Sequence, residues 1–325
     1  AWAKEANLPG VIASSSAKIR ISSAPYPQLA FERAPRAETA CRSWSSIVRS
    51  FNSDISGGLY SLILSLALTL DGAPADLRTV EPDLKIPPVT AGDPSPGKRV
   101  AVTDPESGVD LVIYLPRDWT PDRSYPVILE LPGNGGFRSR HGDTCNGRPE
   151  GCKLGYGVSA GKGVIWVAVP FLNGSGDAIA ITWWGDKPDY APRPSVELLK
   201  RAADLACAER YGGDPRRMFL AGFSRGAIAC NVIGMHDEDI ASRWAGMIVY
   251  SHYDGVRTGW PYPGADRESA LRRLERLGDT PQFICHEGSA GSPPLLQTRR
   301  YLAATGIEGA FSFEPTGFLN HNDAW

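Results

Sequence analysis

From about residue 98 the chain alternates short β-branched runs with stretches whose apolar positions recur every three or four residues. The runs at 99–103, 110–115, 126–131, 164–170, 218–221, 247–250, 282–285 and 310–313 have the length and composition of strands. Between them, 195–210 places Val196, Leu199, Ala203 and Ala206 on one helical face, and 227–236 and 294–305 also read as helices. Strands that alternate with helices imply a mainly parallel sheet of eight strands, covered on both faces, with ligands approaching the carboxyl ends of the strands.

Upstream the pattern changes. Pro82, Pro87, Pro88, Pro94 and Pro96 break the segment 76–97, which reads as a linker able to hold neither a helix nor a central strand. This divides the chain into an N-terminal extension 1–75, the linker 76–97 and a folded domain 98–325. Within the extension, 59–70 is an uncharged apolar run of twelve residues, preceded by Arg49 and followed by Ala73-Pro-Ala75. Its length matches the core of a secretory signal and falls short of a membrane span, and Ala-x-Ala is a small-residue cleavage pattern. A secreted or periplasmic protein is expected on that basis. The run lies far from residue 1 and the first Met is Met218, so translation is expected to start near Val48, with the preceding residues outside the natural protein.

Composition narrows the partners. Lys and Arg number 34 against 36 Asp and Glu, a net charge of −2, which leaves no field of one sign to track nucleic acid. The apolar fraction of 42% excludes a disordered chain. None of the six cysteines forms a Cys-x-x-Cys pair, and the charges of His236-Asp-Glu-Asp239 point in different directions at a helix end, so no metal or other cofactor is expected. Cys145 and Cys152 bracket a polar loop and are expected to form a disulfide, whereas Cys207, Cys230 and Cys285 lie in apolar segments and read as buried thiols.

Two segments match Gly-x-Ser-x-Gly. Gly157-Val-Ser159-Ala-Gly161 precedes a strand, not a helix. Gly222-Phe-Ser224-Arg-Gly226 follows the run 218–221 and opens the helix 227–236, the strand-to-helix turn that lifts a serine above a sheet. On these residues the chain, over about 98–325, resembles the α/β-hydrolase family, and among its members carboxylesterases of the polyhydroxybutyrate depolymerase and feruloyl or acetyl-xylan esterase kind. The resemblance implies the α/β-hydrolase fold and an acyl-enzyme mechanism with Ser224 as nucleophile. It places the oxyanion loop at Leu131-Pro-Gly133-Asn-Gly135-Gly136, where Pro132 stands in place of a common His, and the expected N–H donors are Asn134 and Arg225. The base follows the last strand in this family, which selects His321. The acid departs from the pattern: Gly288-Ser-Ala-Gly291-Ser-Pro293 lacks a carboxylate after the seventh strand. Asp254, in a loop after the sixth strand, is preferred over Glu287, which lies at the end of the seventh strand itself, and Asp323 is too near His321; if neither serves, a Ser–His dyad remains.

Trp183 and Trp184, in a loop after the fourth strand, are candidates for a substrate pocket, with core packing as the alternative. The expected substrate is a small-molecule or polysaccharide-linked ester. A peptidase resembling the prolyl oligopeptidase catalytic domain and a silent hydrolase-like binding protein remain as rivals. The family usually adds a final helix after the histidine, and only four residues follow His321.

Overall fold

The computed structural model describes residues 73–82, 84–138 and 144–323. The signal-like run 59–70, with the rest of 1–72, lies outside the described residues. The elements in chain order are β1 (Val89–Thr90), β2 (Arg99–Thr103), β3 (Asp110–Tyr114), β4 (Tyr125–Leu131), β5 (Phe137–Arg138), β6 (Thr144–Cys145), α1 (Leu154–Ser159), β7 (Ile165–Ala168), α2 (Arg193–Ala206), β8 (Gly213–Phe223), α3 (Arg225–Val232), α4 (Glu238–Ala241), β9 (Gly246–Tyr250), α5 (Arg267–Leu274), β10 (Gln282–His286), α6 (Pro293–Thr305) and β11 (Phe311–Pro315).

Nine strands form one sheet in the order β1-β2-β3-β7-β4-β8-β9-β10-β11, and β5 pairs with β6 in a small ribbon. Only β3 runs against its neighbours, antiparallel to β2 and β7. Leaving out the two-residue edge strand β1, the eight expected strands stand in the order 1-2-4-3-5-6-7-8 with the second reversed, the α/β-hydrolase fold. The carboxyl ends of β4, β8, β9 and β10 therefore point to one edge, where the candidate chemistry gathers.

Side-chain alternation splits the interior into two cores. Leu111, Ile113, Val127, Leu129 and Leu131 face one side, covered by Val196, Leu199 and Ala203 of α2 and by Ile228 and Val232 of α3. Val112, Tyr114 and Ile128 face the other, against Leu154, Tyr156 and Trp166. Glu130 falls on this second face and is fully buried. Its carboxylate accepts from the N–H groups of Lys153 (3.0 Å), Leu154 (3.1 Å) and Gly155 (2.8 Å), so a residue of β4 caps the first turn of α1. Burial, helped by the nearby Asp323 carboxylate, raises its pKa to about 7 against the pull of these three N–H groups.

The Pro-rich segment is more than a linker. It holds no α-helix, and its strand β1 lies at the sheet edge, but Leu84, Ile86 and Val89 pack on the second core. Farther upstream, Ala75 N–H donates to Gly317 O (2.9 Å), Leu319 N–H donates to Ala75 O (2.8 Å), and Leu77 N–H donates to Asn320 Oδ1 (2.6 Å). Two helices differ in extent from expectation. α2 ends at Ala206, because the chain turns at Gly212 (φ +76°) to enter β8. α3 begins at Arg225 and ends before Gly234, which passes too close to Leu220 to carry a side chain.

Cys145 and Cys152 are free thiols, not a disulfide. Cys152 is 2% exposed and packs in the second core, and Cys145 is screened by the backbone at Gly133, so packing shelters both without a bridge.

Gly155 lies against the Trp166 indole, where a Cβ would collide with the ring. Helix propensity alone would make Gly155→Ala stabilising by roughly 1 kcal/mol, whereas overpacking costs about 1–3 kcal/mol. Trp166 is 1% exposed and cannot swing aside. Gly155→Ala should therefore lower the thermal midpoint, and a midpoint at or above that of the parent would refute the close packing.

Candidate active site

Two glycines shape the turn at Ser224. A Cβ on Gly222 would strike the Gly226 carbonyl, and one on Gly226 would strike the carbonyls of Leu131 and Pro132, so the helix can enter this close to the end of β4 only without side chains there. Ser224 itself takes φ +56°, ψ −114°, a conformation that costs a non-glycine residue about 1–3 kcal/mol. The turn is fixed by Ser224 N–H donating to Tyr250 O at 3.0 Å. Ser159, in the other match, ends α1 with its Oγ donating to Gly155 O (2.8 Å), buried and turned into its own helix.

His321 stands between Ser224 and a carboxylate. Its Nε2 lies 3.0 Å from Ser224 Oγ and its Nδ1 lies 2.5 Å from Glu287 Oε1. The loop that carries it is tied down along its length. Gly288 N–H donates to Phe318 O (2.7 Å), the 75–77 segment pairs with 317–320, Tyr250 Oη donates to Asn322 O (2.8 Å), and Lys153 Nζ pairs with Asp323 (2.6 Å). Phe137 packs edge-on against the imidazole at 4.8 Å and Phe223 lies over it at 4.6 Å.

The preferred acid is corrected by the structure. Asp254 does follow β9, but it is 2% exposed and bound in two-pronged fashion by Arg273, at 2.7 and 3.0 Å. Burial raises its pKa and the guanidinium opposes that rise. Its carboxylate is fully engaged inside the first core and does not reach His321. Glu287 reaches it because β10 ends at His286, which makes Glu287 the first residue beyond the strand. Burial tends to raise the Glu287 pKa, but hydrogen bonding and charge interaction with His321 outweigh it and hold the carboxyl below its ordinary value.

Arg225 heads α3, so its N–H has no carbonyl one turn back to meet, and it faces the space after β4. Gly135 N–H is occupied by Ile181 O (2.6 Å) and is closed to a substrate oxygen; Asn134 and Arg225, the expected donors, stand after β4 and at the start of α3. Their side chains have a second task that the sequence did not reveal. Arg225 is 1% exposed and donates to Trp183 O (2.6 Å), Ala180 O (3.1 Å) and Gly147 O (3.3 Å), while its guanidinium stacks on Phe171 at 4.1 Å. Burial pushes its pKa down to about 9. Asn134 Oδ1 accepts from Trp183 N–H (2.9 Å), so the Trp183 backbone is held from both sides.

Of the two tryptophans, Trp184 is a core ring, 1% exposed between Phe171 (5.7 Å) and Tyr262 (4.7 Å). Trp183, 8% exposed, touches Trp260 at 5.1 Å, and Trp260 lies 5.6 Å from the His252 ring. His236 and Asp237 are engaged locally: Asp237 caps α4 by accepting from Ile240 N–H (3.1 Å) and pairs with Lys200 (3.3 Å). Among the described residues no helix is long and apolar enough to cross a membrane.

The chain matches no protein-family model and no curated protein. Its structural neighbours include a thermostable esterase, 19% identical over 68% of this chain and 55% of that one, with a TM-score of 0.39. Dipeptidyl peptidase 4 of Porphyromonas gingivalis is 13% identical over 70% of this chain and 32% of its own, with a TM-score of 0.45. Thermogutta terrifontis esterase 2 is 17% identical over 67% and 82%, with a TM-score of 0.43. The chain thus spans about half the length of the first neighbour and a third of the second.

Two outcomes follow from the acid geometry. Asp254→Asn breaks a buried ion pair and should destabilise the fold by about 3–5 kcal/mol in denaturant unfolding. Labelling of Ser224 per folded molecule by a fluorophosphonate should stay within a few-fold of the parent. Glu287 has a folded pKa below its unfolded value, so its charge stabilises the fold above the unfolded pKa and that contribution is lost as pH falls through the folded pKa. The stability gap between the parent and Glu287→Gln should therefore close on acidification below about pH 4, and a gap that widens there would contradict the assignment.

Proposed function

We propose that the protein is a serine hydrolase that cleaves carboxylic esters through an acyl-enzyme. The observation that carries this reading is the continuous hydrogen-bonded line from Ser224 Oγ through the His321 imidazole to Glu287. A serine hydroxyl attacks a carbonyl only when a base takes its proton in the same step. His321 Nε2 is within reach of that proton, and the ionised Glu287 stabilises the imidazolium that results and fixes the tautomer with hydrogen on Nδ1. The carbonyl oxygen of the substrate becomes an oxyanion in the gap between β4 and α3, where the N–H groups of Asn134 and Arg225 stabilise it. The protonated His321 then gives its proton to the leaving alcohol, and water repeats the cycle on the acyl-serine.

An ester with an apolar acyl group suits the walls of this site. Phe137 and His252 flank the His321 ring, and Trp260 lies beyond His252. Export from the cytoplasm, supported by the apolar run 59–70 and the Ala73-Pro-Ala75 that follows, forms part of this proposal.

Ser224→Ala removes one hydroxyl from a half-buried turn and should reduce hydrolysis of short nitrophenyl esters at least a thousandfold, about the background left when a triad member is lost, with an unchanged thermal midpoint. Ser159→Ala is the comparison and should leave turnover within about twofold. Greater loss from Ser159→Ala than from Ser224→Ala would overturn the assignment, and turnover of peptide amides in place of esters would move the enzyme to the peptidases.

A further inference from the structure

The cycle above gives His321 Nδ1 one partner, but the structure supplies two. Ser251, the first residue beyond β9, is 5% exposed and its Oγ lies 2.8 Å from His321 Nδ1 and 3.0 Å from His252 Nδ1. Its backbone is held in place by an N–H donated to Cys285 O (2.8 Å) and takes φ +84°, a left-handed conformation rare for residues other than glycine. Strained backbone of this kind persists where the surroundings enforce it, and it gathers at functional sites.

The hydrogens can be assigned from the donors available. In the working tautomer His321 carries hydrogen on Nδ1, so Ser251 Oγ can only accept from that atom. Its own hydrogen then has two takers, the Glu287 carboxylate, which Ser251 also hydrogen-bonds, and His252 Nδ1, and it reaches His252 where that atom presents a lone pair. The His252 surroundings favour this state. Burial above all, then the adjacent His321 at 5.4 Å between rings, with His286 and the Arg257 guanidinium adding to them, lower its pKa to about 4, and only Glu287 acts in the other direction. A neutral His252 with hydrogen on Nε2 therefore orients the Ser251 hydroxyl so that an oxygen lone pair faces His321.

We propose that Ser251, oriented by His252, is a positioning residue that shares the His321 Nδ1 hydrogen with Glu287 and keeps the imidazole in its working tautomer. The proposal rests on the serine hydrolase reading. When Nε2 takes the proton of Ser224, the imidazolium keeps its Nδ1 hydrogen between the Glu287 carboxylate and the Ser251 oxygen, and no proton leaves Nδ1. Ser251 keeps its own hydrogen throughout. Two acceptors from adjacent strands restrain the ring about two directions, where one would leave it free to tilt.

The test is a double-mutant cycle on the full chain. Ser251→Ala should lower kcat about tenfold with KM changed less than about twofold, and should move the downfield proton resonance of His321 Nδ1. Ser251→Gly should behave alike, and because glycine accepts φ +84° without strain it reports on the hydroxyl even if the alanine variant folds poorly. Because the two acceptors stand in for each other, Ser251→Ala combined with Glu287→Ala should lose more than the product of the single losses. A double loss at or below that product, or an unmoved Nδ1 resonance with kcat at the parent level, overturns the proposal. If the parent neither hydrolyses esters nor takes up a fluorophosphonate on Ser224, the hydrolase reading fails instead, and the Nδ1 resonance in Ser251→Gly still decides whether the hydrogen bond exists.

Discussion

The missing side chain of Gly226 is the constraint on which the site depends. Without a Cβ there, the first turn of α3 lies against the carbonyls of Leu131 and Pro132 at the end of β4, and the same closeness puts the Gly226 carbonyl where only a glycine at 222 can pass. The two contacts leave Ser224 no relaxed backbone conformation and turn its side chain out over the sheet edge. They also bring the unpaired N–H groups of a helix start beside a strand end, which concentrates positive potential there. The strained Ser224 turn and the open helix start are thus consequences of one close approach.

Arg225 shows how a site of this kind is held without a buried ion pair. Its guanidinium is out of water, yet its acceptors are three backbone carbonyls from two loops. Stacking on Phe171 supplies further stabilisation from the ring face. Carbonyl dipoles stabilise a cation less than a carboxylate would, and burial correspondingly lowers its pKa. The gain is geometric, because a planar fork reaches several carbonyls at once and ties the loops around 147 and 180–183 to the residue that follows the nucleophile.

The strands were legible because a short, continuous apolar run buried on both faces is a local signal, and all eight expected runs overlap strands of the sheet. β8 starts five residues before its apolar run, since Asp214, Pro215 and Arg216 interrupt the hydrophobic signal with polar and exposed positions. α1 was hidden by its two glycines and becomes intelligible only when Glu130, distant in sequence, is seen to cap it. α5 buries only Ala270 and Leu274, so its apolar period is faint, and the Asp266 cap on Ser269 N–H was the readable signal. At the site, Ser224 and His321 were readable from order and context. The choice of acid was not, because it turns on Arg273 capturing Asp254 and on β10 ending one residue before Glu287, and neither is a local property of the sequence. The sixth strand of the expected set does deliver a partner to the histidine, but as a serine three residues ahead of the aspartate.

The pairing of Ala75 with the histidine loop joins two segments distant in sequence. Ala75 bonds Gly317 and Leu319 through its own N–H and carbonyl, and it is also the last residue of the Ala-x-Ala pattern after the apolar run. A cut directly after it would remove the bridge that braces the loop two residues before His321, leaving the bonds of Leu77 and Asp76 with Asn320 as ties from this segment. A cut a few residues earlier would leave the brace whole. The firmness with which His321 is held would then depend on a segment from the opposite end of the described chain.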